Sequence, residues 1–207
     1  MSGGRLAAVP ASPWPGETDD DVSTRQLLRQ VAQELFAEQG FQAVSLRQLA
    51  VAMGMQVGSL YNHIDSKQVL LFELIQDHES ELLALLCKDL VRRAEGLPQL
   101  EAYVRLYLQF NCLHDQRHTL ARLEFRSLAP EQQHSIKLLR QTHVDLLEDL
   151  LRRCALPARE CGTIALGMRA LLDGVVAGYP VGGRPPLGNL AALFSRMVMS
   201  GLSQPQA

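Results

Sequence analysis

Apolar side chains recur at three- and four-residue intervals through most of this chain, and no stretch alternates with a period of two between hairpin turns. That pattern directs the chain to an all-α fold. The first helix face is explicit: Leu28, Val31, Ala32, Leu35 and Phe36 fall at i, i+3, i+4, i+7 and i+8, from a start near Ser23/Thr24. Gly40 stands where a left-handed cap ends such a helix. Ser45 and Gln48 form an S-x-x-Q capping box that opens a second helix, with Leu46, Leu49, Ala50 and Met53 inward and Gly54 at its end. A third short helix is expected over about Gln56–His63, and Ser66 caps a fourth running to about Ala94. Five more follow: from Pro98 to about Asp115, about Arg117–Leu128, from Pro130 to about Cys154, from Pro157 to about Gly178, and about Leu187–Leu202. Each proline sits at an element edge, where its missing N–H costs little. The Gly- and Pro-rich Pro180–Pro186 segment reads as a loop.

The ends and the charge narrow the possibilities. Residues 1–22 hold three prolines, three glycines, Arg5 and the acids Glu17, Asp19, Asp20 and Asp21, a balance of −3 without apolar period, and are expected to be a disordered acidic tail. The 207 residues carry a formal net charge of −2, so any polyanion must be held by a local patch and not by bulk charge. Cys87, Cys112, Cys154 and Cys161 include no C-x-x-C pair and read as buried free thiols. No apolar run reaches the ~18–20 residues that span a bilayer; the nearest, Ile164–Val176, is broken by Arg169 and Asp173. No membrane association and a cytoplasmic location are expected.

Residues 45–67, SLRQLAVAMGMQVGSLYNHIDSK, place two short helices around a glycine turn, which suits a helix-turn-helix. The second has two clear core residues, Leu60 and Ile64, amid Gln56, Ser59, Tyr61, Asn62 and His63. Amide, hydroxyl and imidazole groups on a short helix are what a major-groove reader needs. Gly58 lets backbone approach closely. Ser45 and Ser66 lie at helix N-termini that favour an anion. Arg47 and Lys67 are first-turn cations, disfavoured by the helix dipole unless a negative group such as a phosphate faces them. The alternative for Tyr61 and His63 is packing against the first helix. Residues 24–67 net only +1, so binding would rest on geometry and dimer avidity.

Residues 24–75 resemble the tetracycline-repressor (TetR) family. The matching pattern is T-R-x-x-x-L-x-x-A-x-x-L-F, then E-x-G-F, S-x-R-x-x-A and A-x-G-x-x-x-G-S-L-Y-x-H-x-x-S-K-x-x-L. The resemblance implies a helix-turn-helix DNA-binding domain at 23–67 and a helical ligand-binding and dimerisation domain at 68–207. It implies a homodimer joined by its last two helices on a palindromic double-stranded operator, and a small-molecule effector, with no cofactor. It puts Gln56, Val57, Ser59, Tyr61 and Asn62 in the groove-facing helix, makes Ser45, Tyr61, His63 and Lys67 phosphate contacts, and lets Arg47 reach base edge or backbone. Two features depart from it. Gln56 stands where many members have a Ser or Thr cap, and the acidic tail replaces a basic arm.

Residues 68–207 balance fifteen basic against fifteen acidic groups and are not built for DNA. Tyr103, Tyr107, Phe110 and His114 form one helical stripe, which is either plain core or the wall of a pocket with a polar base. Phe125, Arg126, Arg140 and His143 are the further residues expected at such a pocket. Arg169 and Asp173 form an i,i+4 pair, a structural ion pair or a ligand contact. Small residues from Gly162 to Gly178, with Leu190, Leu193, Phe194, Met197 and Val198, suit a dimer bundle. The stretch E-F-R-S-L-x-P-E, followed by a helix with Arg140, looks similar to domains that sense lipid-like or acyl thioester effectors. An enzyme needs a nucleophile–base set, and Cys112 and His114 are the only close pair. His114, His118 and Cys112 lack any spacing that specifies a metal site. A helical adaptor that uses the first three helices to bind protein is the remaining alternative.

Overall fold

A computed structural model of the chain describes residues 19–154, 156–179 and 186–202. The expected tail at residues 1–18 and most of the Pro180–Pro186 loop lie outside the described residues. Among the described residues there is no strand. The helices are α1 (Asp19–Gln39), α2 (Leu46–Ala52), α3 (Val57–Leu60), α4 (Lys67–Leu90), α5 (Leu97–Leu113), α6 (Asp115–Leu123), α7 (Pro130–Arg153), α8 (Ala158–Gly178) and α9 (Leu187–Leu202). A 3-10 turn, Glu124–Ser127, joins α6 to α7.

Four boundaries differ from expectation, the first being the end of α4 at Leu90 and not near Ala94. The segment Asp19–Asp21, read as tail, is the start of α1. The helix expected over Arg117–Leu128 starts at Asp115 and gives way at Glu124 to the 3-10 turn. The third helix is one turn long, because only Leu60 and, beyond its end, Ile64 anchor it in the core. Cys87, expected buried, is exposed on α4.

The local signals act as the chemistry requires. Ser45 accepts the Gln48 N–H at 3.2 Å, and the Gln48 side chain returns to the Ser45 N–H at 2.8 Å, closing the box at the start of α2. Gly54, at φ +67°, ends α2 with two bonds, Met55 N–H to Ala50 carbonyl at 2.9 Å and Gly54 N–H to Val51 carbonyl at 3.0 Å. This doubled closure sets the angle at which α3 leaves α2. Ser66 accepts the Val69 N–H at 3.1 Å and starts α4.

Two cores result. One joins Leu28, Ala32, Phe36, Phe41, Val44, Leu49, Leu60 and Ile64 to the front of α4, from Leu70 to Ile75, and to Leu120, Ala121, Leu128 and Ile136. The other joins the rear of α4, from Leu82 to Leu90, to α5, α7 and α8, with Leu190 and Phe194 of α9 against it. Helix α4 therefore serves both cores, and α6 with the 3-10 turn is packed into the amino-terminal one. On α8 and α9 the apolar side chains Leu166, Leu171, Leu193 and Met197 remain exposed.

Two glycines separate backbone strain from packing. A methyl at either Gly54 or Gly58 would meet nothing within 4 Å, but only Gly54 has a left-handed backbone. Urea unfolding should show Gly54→Ala destabilising by about 1–2 kcal/mol and Gly58→Ala neutral or stabilising by up to about 1 kcal/mol. Equal losses in both would show that the turn is not set by that residue.

Candidate functional site

The α2–α3 edge is built from the inside outward. Leu49, Ala50 and Leu60 are sealed in the core, which fixes the two short helices as one unit. On the outside, Gln56, Val57, Tyr61 and Asn62 are exposed, and Ser59 and His63 are half-buried. Tyr61 is 57% exposed, so packing against α1, the alternative left open by the sequence, does not describe it. Ser45 and Arg47 are exposed beside them at the start of α2. Gln56 makes no side-chain cap to α3, so its amide is not committed to the helix end. The edge thus offers amide, hydroxyl, imidazole and guanidinium groups to solvent, the chemistry that a duplex groove accepts.

Lys67 is placed differently from its expected role. Its ammonium donates to the Phe41 carbonyl at 2.7 Å and the Val44 carbonyl at 2.6 Å, and lies 4.1 Å from the centre of the Phe41 ring. Burial lowers its pKa, with the Glu124 carboxylate opposing that shift. The negative groups that offset the α4 dipole are therefore carbonyls of the α1–α2 connection. Lys67 clamps that connection to α4, with one of its three N–H donors uncommitted to these carbonyls.

A cavity of about 470 Å³ lies between α4, α5, α6, α7 and α8. Its core is charged. Glu79 is 3% exposed, accepts from Arg140 Nε at 2.7 Å and from Arg169 Nη2 at 3.2 Å, and has His143 Nε2 donating to its backbone carbonyl at 3.0 Å. Burial alone would raise the Glu79 carboxyl; the Arg169 and Arg140 guanidiniums overcome this and hold it at about 2. The Tyr107 hydroxyl donates to Asp173, whose other oxygen faces Arg169 Nε. Burial keeps three histidines of this cluster neutral, with pKa values of about 3 for His78 and about 4 for His143 and a lowered value for His118.

From this cavity a series of contacts through α6 and the 3-10 turn reaches the α1–α2 connection. Arg140 also donates to the Ala121 carbonyl of α6 at 2.8 Å and lies 4.8 Å over the Phe125 ring. Glu124, next along, accepts the Phe41 N–H at 3.0 Å. Gln68 of α4 donates to the Ser127 carbonyl at 2.8 Å. The 3-10 turn is thus tied on one side to the cavity and on the other to the connection that Lys67 clamps.

Residues 28–74 match the family described as bacterial regulatory proteins, tetR family. The chain is 25% identical over 206 residues to the HTH-type transcriptional repressor KstR2 of Rhodococcus jostii, covering 93% of this chain and 98% of that one. The chain is thus similar to TetR-family regulators, in residues 28–74 by the family pattern and along nearly its whole length by that repressor. Its fold is that of a tetR-family regulatory protein from Rhodococcus RHA1, at a TM-score of 0.80 and 20% identity over 88% of this chain and 98% of the other. It is also that of AibR, solved in complex with isovaleryl coenzyme A and operator DNA, at a TM-score of 0.74 and 19% identity over 84% and 97%.

Within this TetR framework the structure sorts the residues that the sequence nominated for a pocket. Tyr107 and Arg140 line the cavity. Tyr103 lies behind Tyr107, stacked on it at 6.1 Å and fully buried. Phe110 and His114 pack on each other, 4.8 Å apart, at the end of α5. Phe125 sits under Arg140, Arg126 is exposed, and His143 is buried against the Glu79 backbone. The cavity residues the sequence did not nominate are chiefly Glu79, His78, Asn111 and His118. The Arg169–Asp173 pair is an ion pair at 3.6 Å that also lines the cavity.

Buried neutral histidines make the fold acid-sensitive. An unfolded chain takes up their protons below about pH 6.5, whereas the folded chain does not until about pH 4 or lower. Stability is therefore complete above pH 6.5 and falls as pH drops, by about 1.4 kcal/mol per pH unit for each histidine. The Glu79 contribution is lost only lower, between 4.5 and about 2. Denaturation followed from pH 7.5 to 4.5 should show His78→Phe with a slope shallower by about 1.4 kcal/mol per unit; an unchanged slope would mean that His78 is not held neutral.

Proposed function

We propose that this protein is a homodimeric transcriptional repressor of the TetR family. It holds a palindromic operator through α2 and α3 and is released when a small molecule enters the α4–α8 cavity. In this reading residues 23–67 are the DNA-binding unit and 68–207 the ligand-binding and dimerisation unit. The observation that carries the reading is the exposure of Gln56, Val57, Tyr61 and Asn62 around a buried Leu60. The KstR2 relative, which matches along nearly its whole length, is a repressor, and that supports the direction of control. A protein that acts on a bacterial operator works in the cytoplasm.

Helices α8 and α9 support the dimer. Helix α8 alone among the described residues is long and apolar enough to cross a membrane by length and composition. Its inner face carries Leu166, Arg169 and Asp173 to the cavity, its outer face leaves Leu171 uncovered, and Leu193 and Met197 of α9 are exposed as well. A second copy burying this face leaves the α2–α3 edges free, with the two readers about one helical turn (~34–36 Å) apart.

The effector acts through contacts already described. A molecule that changes how Arg140 divides itself between Glu79 and the Ala121 carbonyl moves α6, the 3-10 turn and, through Glu124, the Phe41 connection. A coupling of ~1–3 kcal/mol suffices to change operator occupancy. A lipid-like or acyl thioester effector is the class we favour, which AibR's complex with isovaleryl coenzyme A supports.

In operator titrations Tyr61→Ala should weaken binding by tenfold or more without lowering the melting temperature. Arg47→Ala should reduce the salt slope by about 1. Wild-type behaviour of both would remove the α2–α3 edge from the interface. Paired Leu171→Asp and Leu193→Asp substitutions should yield a folded monomer by light scattering and a large loss of operator affinity. A dimer that persists would place the interface elsewhere.

A further inference from the structure

The cavity's inner wall carries hydrogen-bonding atoms whose character can be fixed one by one. Asn111 is fully buried, and its amide nitrogen donates to the Tyr107 carbonyl at 2.9 Å. A carbonyl can only accept, so the amide cannot be turned the other way, and Asn111 Oδ1 must face His118 Nδ1, 3.1 Å away. An amide oxygen can only accept, so His118 carries its proton on Nδ1. Its ring is neutral, because burial lowers its pKa. Nε2 is then a bare lone pair. His118 is 6% exposed, lines the cavity, and its Nε2 has no partner. The wall therefore contains a committed acceptor.

Committed donors stand on the same cavity. Arg169 is 12% exposed, spends Nη2 on Glu79, and has no hydrogen-bond partner for Nε or Nη1. The fixed charges at this end are already matched, Arg140 and Arg169 against Glu79 and Asp173. A further anion there would be a third negative charge against two positive ones. Toward the cavity's outside the balance is different. Arg122 and Lys137 line it, are exposed, and make no ion pair among the described residues. Between the two ends the lining is apolar, with Leu82, Val144 and Leu166.

Resting on the effector reading of this cavity, we propose that its ligand is an amphipathic molecule with an uncharged hydroxyl-type head at the inner end and an anionic group at the outer end. The head's oxygen accepts from Arg169 and its hydrogen is donated to His118 Nε2; the anion lies at Arg122 and Lys137. A methyl head leaves all these groups unsatisfied, and a carboxylate head meets the lone pair of His118 with no proton to offer it. None of the unpartnered atoms is exposed to solvent in the structure. Entry of the head therefore parts α6 from α8, and α6 is the helix that leads to the α1–α2 connection.

The test uses three acids of one chain length: 10-hydroxydecanoate, decanoate and decanedioate. Each is titrated calorimetrically into the full-length dimer and, separately, into its complex with operator DNA. The hydroxy acid should bind at least tenfold more tightly than either of the others. In His118→Phe that preference should shrink to within about twofold, with decanoate binding retained. The wild-type series decides the matter even if that variant fails to fold. Equal or tighter binding of decanedioate, no binding by any of the three, or an unchanged preference in folded His118→Phe overturns the proposed ligand class. If the hydroxy acid binds as expected but leaves operator affinity unchanged, the ligand class stands and the effector reading falls.

Discussion

A single buried carboxylate organises this protein. Glu79, on α4, is 3% exposed and would be costly there alone. It is tolerated because Arg140 of α7 and Arg169 of α8 both reach it, and because His143 of α7 stays neutral and spends its N–H on the Glu79 backbone. Four groups from three helices thus have one mutually consistent arrangement. Such clusters contribute little net stability beside an apolar core, but they penalise every misarrangement heavily. They hold the helices in one register and line a cavity that remains polar at its inner end.

That cluster also explains how a cavity in one half of the molecule concerns the other. Arg140 has two obligations, to Glu79 and to the Ala121 carbonyl. The second ties it to α6, whose Leu120 and Ala121 belong to the same core as Leu28, Phe36 and Leu60. Glu124 and Lys67 then meet at Phe41, one taking its N–H and the other its carbonyl. Disturbing one end of this series displaces hydrogen bonds at the other, which is the physical content of control by a ligand in the proposed function.

Much of this was legible in the sequence, for a definite reason. The helices, their caps and the outward residues of α3 depend on spacings of three and four and on Gly and Ser at particular places, all local signals. The cavity was less legible because its residues meet only in space. Glu79 lies in the run Asp77-His78-Glu79-Ser80-Glu81, where nothing marks one acid as buried; its partners are 61 and 90 residues further on. Tyr103, Tyr107 and Phe110 share a stripe, but a stripe does not say which member faces space and which faces core. Lys67 shows the limit of a correct local argument. The dipole did require a negative partner, and the structure supplies it from the carbonyls of Phe41 and Val44.

Selection of bound sequences from random double-stranded DNA by the purified protein is the most direct test of the proposed function. That function predicts enrichment of an inverted repeat whose half-sites are centred about one helical turn, roughly 10–10.5 base pairs, or a multiple of it apart. Recovery of no sequence preference, or of a single unrepeated site bound by a monomer, would contradict it.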